Sequence, residues 1–76
     1  MEREISVKEL RTLPVGTMVT VHGHDKYGYP TILKCEIVQA IQGRRKELRY
    51  TDWAGDFQRM RIMYNKKYTI EGKEGD

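Results

Sequence analysis

Cysteine is all but missing from this chain, with Cys35 alone among 76 residues, so no internal disulfide can form. A domain this small without such a bond relies on packing or on association, and the expected setting is a reducing cytoplasm. Long hydrophobic runs are also missing. The opening Met-Glu-Arg-Glu is charged, and no stretch approaches the apolar core of a secretory leader or the roughly 20 apolar residues of a membrane span. A soluble cytoplasmic protein without membrane contact is therefore expected. Nor is there a nucleophile-base-acid triad, a carboxylate pair at a defined spacing, or a glycine-rich phosphate loop after a strand. We expect no enzymatic activity and no cofactor.

What the chain does hold is charge. Charged residues make up 33% of it against 38% hydrophobic, with seven aromatics, seven glycines and two prolines, which describes one thin-cored globular domain. A chain of this length buries only about 60% of the surface its unfolded form exposes. The net charge of +3 is unevenly spread. Residues 1–33 carry four basic and four acidic side chains, residues 34–67 carry nine basic and four acidic, and the remainder sums to −2. The middle of the chain is the basic part.

Along the chain, Ser6-Val7-Lys8-Glu9 fits a capping box and predicts a helical turn over residues 6–12, ended by Pro14. Alternation of apolar and polar residues then predicts five strands, at about 17–22, 31–41, 46–51, 56–63 and 67–70. Leu33, Cys35, Ile37 and Ile41 would face inward, followed by Leu48 and Tyr50, then Met60, Ile62 and Tyr64. Val38 and Ala40 break the pattern, which predicts a bulge near Val38. Residues 23–30 read as a long irregular loop, while Asp52-Trp53-Ala54-Gly55 has the form of a type I turn closed by a left-handed glycine. The fold class expected is mainly β: a small five-stranded SH3-like barrel with a short N-terminal helix, spanning residues 1–70, with residues 71–76 a disordered tail. An OB-like barrel is the alternative.

Pro14-Val15-Gly16, Val19 and Val21, Tyr27-Gly28 with Pro30, and Asp52 with Gly55-Asp56 together resemble a group of small uncharacterised SH3-like barrel proteins carried by bacteriophages and prophages. The similarity covers roughly residues 13–70. It implies an SH3-like fold and a phage or prophage origin, and it implies no activity or site residues. The signalling SH3 motifs are not matched, with neither an Ala-Leu-Tyr-Asp-Tyr run nor a tryptophan pair. The entry Gly16-x-x-Val19-x-Val21 is also similar to the start of ribosomal and transcription-factor barrels that bind RNA or protein.

Three sets of residues are candidates for function. Tyr27, Tyr29, Pro30 and Trp53 would line an aromatic groove for a peptide if the long loop folds beside the hairpin of the third and fourth strands, and a host protein is the partner expected from this set. Arg44, Arg45, Lys46, Arg49, Arg59 and Arg61 would form a basic strand face able to contact the phosphates of a nucleic acid, with Trp53, Phe57 or Tyr29 stacking on a base. Interleaved Glu36 and Glu47 would instead pair with these arginines across strands. His22, His24 and Asp25, with Cys35 elsewhere, offer metal-ligand chemistry without a complete ligand set, so no metal is expected. The reading is a small non-catalytic module that binds a host protein, with nucleic-acid binding and an oligomer-forming structural role as alternatives.

Overall fold

A computed structural model describes residues 2–71 of the chain. Its first element is a strand that its composition conceals. Glu2–Ile5 (β1) holds three charged residues and a single buried apolar side chain, Ile5. With one apolar position there is no alternation to read. Ser6 follows in extended backbone, and its Oγ accepts the Glu9 amide at 3.1 Å, which starts the helix Val7–Thr12 (α1). The capping box is only half made. The Glu9 carboxylate accepts from Arg3 at 2.7 Å and does not reach back to Ser6. Leu13, ahead of Pro14, is already extended at ψ 146° and ends the helix.

Five further strands follow: Met18–His24 (β2), Pro30–Gln39 (β3), Lys46–Thr51 (β4), Phe57–Arg61 (β5) and Lys67–Glu71 (β6). All pairings are antiparallel, and the six strands form one sheet in the order β1-β6-β2-β3-β4-β5. The mainly β class with one short helix is as expected. The count of five strands is corrected to six, because β1 adds itself to β6 with Ile5 opposite Tyr68. The sheet is open: β1 and β5 are its edges, and no ladder joins them among the described residues.

Several boundaries also move. Residues 23–30 are a tight hairpin, since β2 runs to His24 and β3 starts at Pro30. Asp25 Oδ1 accepts the amides of Tyr27 and Tyr29, and Gly28 takes φ 85°. Asp52 does the same for Ala54 and Asp56, with Gly55 at φ 87°. The two hairpins thus share one Asp-x-x-Gly turn, in which the carboxylate satisfies loop amides and the glycine supplies the left-handed residue. β3 ends at Gln39, so Ile41, expected inside, is 82% exposed. No bulge forms at Val38, which stands directly opposite Glu47. Glu71, expected in a disordered tail, is the last residue of β6 and pairs with Glu2. Residues 72–76 of that tail lie outside the described residues.

The long strand β3 is divided between two neighbours. Its residues 30–36 pair with β2, and its residues 36–39 pair with β4. That stagger lets side chains from both halves of the sheet meet on one inner face. Leu10 of α1 is fully buried there with Ile5, Val19, Val21, Cys35, Ile37, Leu48 and Tyr68. Leu33, Tyr50, Met60 and Ile62 pack around this cluster. Burying a side chain of this size is worth about 1.5–3 kcal/mol, so a single turn of helix is held by Leu10 more than by its own propensity. The opposite face of the sheet carries Lys34, Glu36, Glu47, Arg49, Arg59 and Arg61 beside the buried Thr20, Val38 and Thr69.

Candidate anion-binding cleft

On β4 and β5 the residues alternate with period two, so Leu48, Tyr50 and Met60 turn to the core while Glu47, Arg49, Arg59 and Arg61 face outward. Arg59 and Arg61 point away from the core, as expected. Beyond the end of this ladder, the turn between β3 and β4 presents Arg44 and Arg45, and α1 contributes Arg11. Together they line a cleft of about 1020 Å³. Its wall carries six cations, Arg11, Arg44, Arg45, Lys46, Arg59 and Arg61, against one carboxylate, Glu47.

Each wall of the cleft is fixed by hydrogen bonds from side chain to backbone. Gln39 Nε2 donates to the carbonyls of Gly43 (3.2 Å) and Arg45 (3.1 Å), which holds the turn that bears Arg44 and Arg45. Lys46 Nζ donates to the carbonyls of Arg11 (3.2 Å) and Leu13 at the C-terminal end of α1. A cation on those unpaired carbonyls complements the helix end, and it ties Arg11 to the β4 wall. Arg59 Nη1 is shared between Glu47 Oε1 (3.2 Å) and the carbonyl of Gln39 (3.0 Å).

These bonds sort the six cations. Lys46 and Arg59 are committed to the protein itself. Arg44, Arg45 and Arg61 are exposed and make no ion pair with another described residue. Arg11 lies over the ring of Tyr64, 5.1 Å from its centroid. Tyr64, expected to face the core, is 75% exposed and touches the cleft wall through Arg11.

Five of the six basic residues singled out from the sequence therefore meet in one place. Arg49 does not join them. It pairs with Glu36 at 2.7 Å and covers the ring of Phe57 at 4.9 Å, as the cross-strand alternative anticipated. Arg11 and Tyr64 were missed, because α1 and the segment after β5 meet only in three dimensions. Basic spacing along β4 and β5 carries no trace of either.

The aromatic set fares differently. Tyr27, Tyr29, Pro30 and Trp53 are all exposed, Trp53 at 99%. Arg49 stands opposite Glu36, so the register carries Thr51 only as far as the level of Lys34, well short of Pro30. By this register the two hairpin tips end at different levels of the sheet, each with its aromatic side chains exposed. His22 Nε2 is 2.9 Å from Thr69 Oγ1 and His24 is exposed. Among the described residues no group of three or more His, Cys, Asp or Glu side chains could hold a metal ion. Cys35 is buried, and burial pushes its thiol up to about 11. No described helix is long and apolar enough to cross a membrane. No protein-family model, curated protein or solved structure matches the chain.

Proposed function

We propose that this protein is a non-catalytic binding module that takes the sugar-phosphate backbone of a nucleic acid into its arginine-lined cleft. The observation that carries this is the imbalance of the wall, six cations to one carboxylate, with three guanidinium groups that have no ionic partner among the described residues. Holding like charges together costs free energy that a polyanion relieves, and the relief is repaid further by release of its counterions. The pinned turn and pinned helix end mean that little ordering remains to be done on binding. In the same reading the scaffold is an SH3-like curl. The sharing of β3 between β2 and β4, and the return of β6 beside β2, support it.

A protein partner is the second reading, and what favours it is the near-complete exposure of Trp53 at its turn. The test of the first is direct. A fluorescently labelled oligonucleotide should bind at low salt, and the triple variant Arg44→Gln, Arg45→Gln, Arg61→Gln should lose most of that affinity while keeping its circular dichroism spectrum. A native protein that leaves the oligonucleotide free at low salt refutes the proposal.

A further inference from the structure

The cleft is basic, but one element beside it is neither charged nor idle. Tyr64 follows β5 on the segment that contributes Ile62 to the cleft wall, and its ring is already covered on one side by Arg11. The backbone beneath it is held firmly. The buried Tyr68 hydroxyl accepts from the Met63 amide at 2.8 Å and donates to the Met63 carbonyl at 3.0 Å. The backbone that carries Arg11, the other half of the stack, is tied down by the bonds of Lys46 to the end of α1. An exposed aromatic ring on a braced support, stacked with Arg11 of a wall that also bears Arg44, Arg45 and Arg61, is an arrangement that can hold an unpaired base while its phosphates are neutralised.

Resting on the proposed function above, we infer that the ligand class is single-stranded nucleic acid, with one base stacked on the free face of Tyr64 and its backbone running along Arg44, Arg45 and Arg61. A duplex keeps its bases in its own stack and offers Tyr64 nothing beyond phosphate. A single strand, whether RNA or DNA, presents a π face at every residue. The choice between RNA and DNA is left to sugar contacts, so the ring itself selects strandedness.

The experiment compares short labelled single strands of RNA and of DNA with a duplex of the same length by fluorescence anisotropy. Both single strands are expected to bind more tightly than the duplex. Tyr64→Ala should weaken single-strand binding roughly 5- to 150-fold, the effect of losing one stacked base, and should leave the salt dependence and duplex binding unchanged. Tyr64→Phe should retain the native affinity, because the ring and not the hydroxyl makes the stack. Equal affinity for single strand and duplex, or an unaffected Tyr64→Ala variant, overturns this inference and leaves the cleft proposal standing. Failure of every oligonucleotide to bind at low salt removes the cleft proposal and this inference with it.

Discussion

Salt dependence gives the sharpest test of how the cleft works, because the structure states how many of its cations are available. Lys46 is occupied by helix carbonyls and Arg59 by Glu47 and Gln39. That leaves Arg11, Arg44, Arg45 and Arg61 to neutralise phosphate. If about four contacts form, the logarithm of affinity for a single strand should fall against the logarithm of salt with a slope of about −2.8, and for a duplex about −3.6. Between about 50 and 200 mM salt, the single-strand affinity then drops by about 50-fold. The triple variant of Arg44, Arg45 and Arg61 keeps Arg11 alone, so its slope should shrink to about −0.7 and its loss over the same range to about threefold. Anisotropy titrations at several salt concentrations measure both slopes. A native slope as shallow as that of the triple variant, or a variant slope as steep as the native one, shows that these guanidinium groups do not carry the binding and refutes the reasoning.

Lys46→Met removes two charge-assisted bonds to the end of α1; at a partly exposed site this should cost about 1–2 kcal/mol and lower Tm by about 4–8 °C per kcal/mol, and an unchanged melting curve contradicts it. Cys35 is buried with its thiol pushed up to about 11, so a thiol-specific disulfide reagent near neutral pH should leave the native chain unlabelled and label it fully in urea. Rapid labelling of the native protein counts against the buried position. The Asp52 carboxyl is held below its ordinary range, chiefly by the hydrogen bond from Gln58 and then by the amide of Asp56. Its contribution to stability is therefore present above the ordinary carboxylate range and is lost as the pH falls through its lowered native value. In urea melts across that acid range Asp52→Ala should show a shallower decline than the native chain, and parallel declines would argue against the link.

How much of this was legible in the sequence depends on whether the signal was local. Leu48 and Tyr50 between outward-facing neighbours, the cap at Ser6 and the turn at Asp52 all declare themselves within a few residues, and they stand as read save that Glu9 turns to Arg3 and leaves the capping box half made. β1 did not, since its pairing with β6 joins residues nearly seventy positions apart and only Ile5 enters the core. The hairpin at Asp25 was readable in principle. Its Asp-x-x-Gly spacing repeats that of Asp52 to Gly55, but the histidines, tyrosines and proline around it imitate an irregular loop. The cleft was legible only in part: the basic residues stand out in the sequence, whereas the separation of committed Lys46 and Arg59 from available Arg44, Arg45 and Arg61 depends on which backbone carbonyls come within reach.

The matched turns at Asp25 and Asp52 carry one more implication. In both, the bonds that fix the bend come from the aspartate and the backbone around the glycine, and none comes from the side chains of the central pair, Lys26-Tyr27 in one and Trp53-Ala54 in the other. Those four positions can therefore change chemistry without disturbing the strands that lead to them. The same open sheet beneath could present a different fingertip at each hairpin, which makes the tips the places where a variant of this protein would acquire a new preference with least disturbance to its fold.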